Sequence, residues 1–339
     1  MSDETTAPPP PIPLSDEAAF EHLQAGRQRV TTELAKVIVG QDDVIEQLLV
    51  TLLAGGHGLL TGAPGLAKTL LVKSVASAFQ LQFQRIQFTP DLMPADITGT
   101  EILTETPEGR RLSFVRGPVF TNLLLADEIN RTPPKTQAAL LEAMQEHQVT
   151  AGGTRHTLSE PFFVLATQNP VEMEGTYPLP EAQLDRFLFN VLIDYLPEDD
   201  EVAVVTQTTS RTSAAITSVF TADDAIAFQR LARQVPVAED LVRYAVRLAA
   251  ASRPGREGAP DFINQWLNWG AGTRAAQALI IGAKARTLWQ GRTHVTNDDI
   301  RALAAPVFRH RLLLNYRAEA EGATVEDVIT KLLATVPGV

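Results

Sequence analysis

The chain contains no cysteine. Disulfides, thiolate nucleophiles and thiolate metal sites are therefore excluded. No apolar run approaches the ~20 residues that span a bilayer. The N-terminal stretch MSDETTAPPPPIPLSDE has neither a basic n-region nor an apolar h-region, so it does not read as a signal peptide. A cytoplasmic protein is the expectation from these absences. Basic residues number 29 against 40 acidic ones, a net charge of −11, which argues against a broad nucleic-acid-binding face. The six histidines stand singly, at 22, 57, 147, 156, 294 and 310, and form no H-x₃-H or H-E-x-x-H pair. No dedicated metal site built on histidine is expected.

With 339 residues, 45% hydrophobic and 20% charged, the chain has the composition of a soluble globular protein and the length for two domains. Residues 1–14 carry five prolines between Pro8 and Pro13 and read as a disordered tail, partly polyproline II. From Ser15 onward, helical spacing marks two helices, the second opening at Gln41-Asp42. Apolar or alternating runs at 57–61, 83–89, 122–126, 162–167 and 187–193 read as strands separated by helices. That alternation predicts an α/β domain over residues 15–196, a parallel sheet with helices on both faces. Two insertions, 99–116 around Pro107-Glu108-Gly109 and 148–158 around Gly152-Gly153, read as β-hairpins. After Tyr195-Leu196-Pro197 the strand signals stop. Segments 198–210, 221–235, 237–252, 271–290 and 296–310 read as helices, capped in part by Thr221, Thr296 and Asp298-Asp299. This predicts a second, all-helical domain over 197–339, with Gly282, Trp266 and Trp269 as packing residues.

The most informative stretch is Gly62, Ala63, Pro64, Gly65, Leu66, Ala67, Lys68 and Thr69, followed by Leu70 at the head of a helix and preceded by the apolar Leu59-Leu60. Strand, glycine turn, Lys-Thr, helix is the context of a phosphate-binding loop. Backbone N–H groups and the helix N-terminus converge on the anion, Lys68 reaches the β- and γ-phosphates, and the Thr69 hydroxyl ligates Mg²⁺. Ala67 replaces the last glycine of the usual pattern, which is tolerable if its φ is negative. Downstream, Leu123 to Ala126 lead into Asp127-Glu128. Asp127 suits Mg²⁺ through water, and Glu128 suits the base beside an attacking water. Asn169 follows another apolar strand and can hold that water or the γ-phosphate. Arg186 and Arg274 each begin or end a helix. Each reads either as a surface ion pair or as an arginine acting on γ-phosphate oxygens, the latter possible from a neighbouring subunit.

These blocks together resemble the MoxR-type AAA+ ATPases over about residues 20–315. The resemblance rests on VIVGQ (Val37–Gln41), GAPGLAKT (Gly62–Thr69), LLLADEINR (Leu123–Arg131), PPKTQAALLEAMQE (Pro133–Glu146), ATQNP (Ala166–Pro170), GTYPLPEAQLDRF (Gly175–Phe187) and VTNDDIRALAAPVFRHR (Val295–Arg311). It implies an AAA+ P-loop core with a helical lid, ATP and Mg²⁺ as ligands, and hexameric rings. It implies that Ile38, Val39 and Gly40 cradle adenine, that Asn169 is the first sensor, that Arg186 is a finger acting on the neighbour and that Arg274 is the lid's sensor. The run Gly270 to Ala275 reads GAGTRA where the family usually has GASPRA. A chaperone-like role in maturing a client complex or inserting its cofactor, with a von Willebrand factor A domain partner, is the implied biology. A nucleic-acid-stimulated motor or transcriptional regulator shares the nucleotide chemistry. It would need basic hairpins, and Arg110-Arg111 and Arg155-His156 supply only a few such charges against an acidic whole.

Overall fold

A computed structural model describes residues 15–106, 109–169, 175–209 and 215–339. The proline-rich segment, turn residues 107–108 and Pro170 lie outside the described residues. The chain opens with α1 (Asp16–Ala35) and α2 (Asp42–Leu53), then β1 (Gly58–Thr61), α3 (Lys68–Ala78), β2 (Phe83–Gln87) and α4 (Pro94–Thr98). The hairpin β3 (Gly99–Thr106)–β4 (Gly109–Arg116) precedes β5 (Leu123–Asp127) and α5 (Pro134–Glu146). A second hairpin, β6 (Gln148–Ala151)–β7 (Thr154–Thr157), leads to β8 (Phe163–Gln168), α6 (Glu181–Leu184) and β9 (Phe189–Leu192). Helices then dominate: α7 (Glu198–Thr209), α8 (Ala222–Gln234), α9 (Glu239–Ala251), α10 (Asp261–Trp266), α11 (Thr273–Trp289), α12 (Asn297–Ala302), α13 (Ala304–Phe308), α14 (Tyr316–Ala320) and α15 (Val325–Thr335).

The main sheet has the order β2-β5-β8-β1-β9, and every pairing in it is parallel. Parallel sheets are covered on both faces, and the strand side chains divide accordingly. Leu60, Leu123, Leu125, Phe163, Leu165, Phe189 and Val191 join a core with α1, α2, α3, α8, α9 and α11. Their neighbours Leu59, Leu124, Ala126, Val164 and Ala166 join a second core with Phe88, Ile97, Leu140 and Met144 on the opposite face. The period of two along each strand therefore sets the two layers.

Two details depart from the sequence reading. The segment expected as one helix over 296–310 is α12 and α13, separated at Leu303. Pro306 lacks the N–H that would bond residue 302, so the helix cannot run through. The C-terminal region also holds a short antiparallel pair, β10 (Leu267–Trp269) with β11 (Leu313–Leu314), too brief to leave an alternation signal. Trp269 belongs to that pair and is 63% exposed, unlike Trp266, which packs on the core and accepts Lys331 over its ring.

One buried charge anchors the helical region. Asp299 is fully buried and accepts from Arg286 Nη1 (2.7 Å), Arg292 Nη1 (2.9 Å), the Thr296 backbone N–H (2.9 Å) and the Thr287 hydroxyl (3.2 Å). Burial pushes its carboxyl up. The hydrogen bonds from Arg292, Thr296 and Arg286 outweigh burial and hold it at about 2. Asp299→Ala would leave two guanidinium groups facing a buried gap. Breaking such a pair costs about 3–5 kcal/mol, so urea unfolding should show a loss of that size. A loss under ~1 kcal/mol, the scale of an exposed ion pair, would contradict this reading.

Candidate nucleotide site

Strands β5, β8 and β1 lie side by side, so their C-terminal ends open onto one crevice, where ligands of open α/β sheets bind. From β1 the chain turns through residues 62–67 into α3. A Cβ at Gly62 would meet the Ile193 carbonyl oxygen at 2.4 Å, so only glycine fits beneath the turn. Gly65 takes φ +87°. Ala67 also lies in the left-handed region, at φ 55° and ψ 25°. The negative φ set as the condition for alanine at this position is thus not adopted. An L-residue with a Cβ costs roughly 1–2 kcal/mol in that conformation, a local strain held by the loop.

Lys68 Nζ donates to the Gly62 carbonyl at 2.6 Å across the loop. Burial lowers its pKa, and Asp127 and Glu128 counter that effect. Asp127 ends β5. Its Oδ1 accepts from the Thr167 hydroxyl (2.6 Å), and its Oδ2 accepts from Arg85 Nη2 (2.6 Å) and Nε (3.1 Å). Thr167 in turn accepts the Glu128 backbone N–H at 2.8 Å, so one hydroxyl fixes both acidic residues. Glu128 sits at φ 57°, which turns the chain sharply at the strand end. Its Oε2 accepts from Gln87 Nε2 and from Arg131 Nη1, each at 2.8 Å. Asn169, just past β8, is buried. Residues 64–69, Arg85, Asp127, Glu128, Thr167 and Asn169 line one cavity of about 320 Å³. An ammonium, a threonine hydroxyl, hard carboxylate oxygens and a glycine-lined turn form a donor set that fits Mg²⁺ and a polyphosphate.

Other expected site residues lie elsewhere. Ile38, Val39 and Gly40 occupy the turn between α1 and α2. Ile38 is buried, and a Cβ at Gly40 would meet the Asp200 carboxylate of α7 at 2.4 Å. They flank α7 rather than the cavity just described. Leu70, in the first turn of α3, is 39% exposed. Arg186 is half-buried and donates through Nη1 to the Leu141 carbonyl at 2.8 Å.

The expectation for Arg274 needs correction. Arg274 does not line its own chain's phosphate cavity. It shares a separate cavity of about 310 Å³ with Arg186, Gly56, His57 and Gln277, and stands 3.8 Å from Asp185. His57 precedes β1 and Gly62 follows it, so this second cavity opens at the other end of the strand, roughly 16 Å away at ~3.3 Å per residue. The packing of the helical region fixes that placement. Gly282 lets α11 press on Phe189 of β9, where a Cβ would come within 2.7 Å of the ring. Buried Arg311 bonds the Asp185 carboxylate at 2.7 Å and the Phe187 carbonyl at 2.8 Å. His57 braces the same end: its Nδ1 accepts the Val164 N–H and its Nε2 pairs with the Met144 carbonyl, both at 3.1 Å. Burial pushes the imidazole down to about 4.

Arg85, Gln87 and Thr167 were not legible as site residues. The sequence carried only the i, i+2 spacing of Arg85 and Gln87, which puts them on one face of their strand.

Comparison with known proteins agrees with this geometry. Residues 57–189 match the ATPase family associated with various cellular activities (AAA), and residues 263–332 match the AAA lid domain. Fold and site thus define an AAA-type ATPase with a lid. The chain is 42% identical to Chaperone MoxR1 of Mycobacterium tuberculosis, across 91% of this chain and 81% of that one. It is 30% identical to Protein MoxR of Methylorubrum extorquens, across 91% and 94%. A crystal structure from Cytophaga hutchinsonii, of a protein assigned as an ATPase, superposes with a TM-score of 0.87 at 42% identity, covering 95% of this chain and 98% of that one. The chain belongs to the MoxR family of AAA+ ATPases.

Proposed function

We propose that ATP and Mg²⁺ bind in the cavity between the 62–69 loop and the ends of β5 and β8, and that hydrolysis there drives chaperone-like remodelling of a client protein complex. The observation that carries this reading is the shared lining of one cavity by the loop, both carboxylates, Thr167 and Asn169. Loop N–H groups and Lys68 would hold the β- and γ-phosphates. Thr69 would ligate the metal directly, and Asp127 through water. The ion would neutralise charge on the phosphate oxygens. Glu128 takes the proton of the attacking water as that water adds to the γ-phosphorus, and ADP leaves. Asn169 orients the water.

Arg186 and Arg274 face a cavity remote from their own loop. We read both as acting on the next copy's γ-phosphate in a ring, taken as a hexamer. Lid motion against the core would then pass between neighbours. A von Willebrand factor A domain protein is the proposed adaptor to the client, and the cytoplasm the proposed location. Among the described residues, no helix is long and apolar enough to cross a membrane.

The competing motor on nucleic acid needs a basic face on the hairpins, in a chain whose net charge is −11. Arg110, toward the tip of the first, is within 3.1 Å of Glu105. Adding single- or double-stranded DNA should therefore leave ATPase turnover within about twofold of the basal rate at physiological salt, where nonspecific phosphate contacts are weakened. Stimulation of tenfold or more would favour the motor.

A further inference from the structure

Asp127 and Glu128 are joined by a continuous chain of hydrogen bonds that runs through β2. Arg85 donates twice to Asp127 Oδ2, by Nη2 at 2.6 Å and Nε at 3.1 Å. The same Nη2 donates to Gln87 Oε1 at 2.8 Å. That bond fixes which way the Gln87 amide faces, and its Nε2 then donates to Glu128 Oε2 at 2.8 Å. Gln87 pairs with Asp127 across the β2–β5 ladder, and Arg85 stands two residues earlier on the same face. Arg85 also lines the phosphate cavity itself. It is 46% exposed on an edge strand, so its side chain has room to move without disturbing the core.

A guanidinium in this position has a specific electrostatic consequence. Asp127 cannot serve Arg85 and a dication equally, since the two cations would repel each other at close range. Without metal, Arg85 neutralises a carboxylate that would otherwise repel the nucleotide's phosphates. We propose that Arg85 is the resident counter-cation of Asp127, which Mg²⁺ must displace. Arg85 is thus a positioning residue that sets the Mg²⁺ dependence of nucleotide binding, while Glu128 stays held by Arg131.

This inference rests on the nucleotide-site reading above, and the test separates the two. The quantity measured is the gain in ADP affinity on replacing EDTA with Mg²⁺, read by calorimetry and so independent of turnover. In Arg85→Ala, affinity should weaken in EDTA, because Asp127 is left uncompensated, and tighten in Mg²⁺, because the competitor is gone. The gain should rise about tenfold, the scale of losing one charge-assisted hydrogen bond. Arg85→Lys retains the charge and should stay near the wild-type gain. In an Asp127→Asn background, Arg85→Ala should no longer alter the gain. An unchanged or smaller gain in Arg85→Ala, with its melting temperature held, would overturn the proposal. So would the same shift persisting in the Asp127→Asn background. If Arg85→Ala fails to fold, Arg85→Gln carries the same expectation and the same refutation. A wild-type protein that binds no nucleotide under either condition would overturn the site reading itself, and the proposal with it.

Discussion

Glu128→Gln should bind ATP with near-wild-type affinity and lose roughly 10²–10⁴-fold in turnover, the range attributed to a positioned general base. The substitution keeps the size of the side chain and its ability to accept from Gln87 or Arg131. It removes the anionic oxygen that takes a proton from water. The backbone here is held by the Thr167 hydroxyl, which is untouched, so the loop and Asp127 stay in place. Lys68→Ala should behave differently. Lys68 spans the loop to Gly62 and carries the positive charge facing the phosphates. Its loss should abolish measurable binding. Nucleotide titration by fluorescence or calorimetry, run beside a phosphate-release assay, separates the two outcomes. Turnover near wild type in Glu128→Gln would remove that residue from the mechanism.

Arg186→Ala should leave ATP affinity almost unchanged while slowing hydrolysis by about 10³–10⁵-fold, the value of an arginine supplied across an interface. The reason is geometric. Arg186 lies beside His57, before β1, and the phosphate loop lies after it. A residue so placed contributes nothing to its own chain's ground-state binding. Facing the next copy's γ-phosphate, it would act mainly on charge that grows in the transition state. Arg274 shares that cavity, so Arg274→Ala should reproduce the same pattern rather than the weakened binding expected of a residue in its own pocket. A fall in ATP affinity equal to the fall in rate would place either arginine in the ground-state complex instead.

Much of this was legible in the sequence, for identifiable reasons. The parallel sheet could be read because each buried strand is a short apolar run ended by polar or glycine residues, as in Leu123 to Asp127. The loop could be read because its glycines are hard to replace: Gly65 takes a positive φ, and a Cβ at Gly62 would strike the Ile193 carbonyl. Three things escaped. The sign of φ at Ala67 depends on how the loop closes over Lys68, which local propensity does not encode. The place of Arg274 depends on how α11 docks on β9 through Gly282 and on Arg311 seated against Asp185, contacts that span about a hundred residues or more of chain. Arg85 and Gln87 were hidden because their partners are set by strand order, and β2 beside β5 is a tertiary fact.

The most direct test of a site completed between subunits is the ATPase rate of a mixture of Glu128→Gln and Arg186→Ala chains. Each variant alone lacks one half of every interface. A mixed ring sets an intact Glu128 opposite an intact Arg186 at some interfaces, so the mixture should recover activity that neither parent has, rising with protein concentration as rings form. No recovery, in mixtures shown by sizing to contain both chains in one assembly, would mean that Arg186 acts within its own chain or not at all.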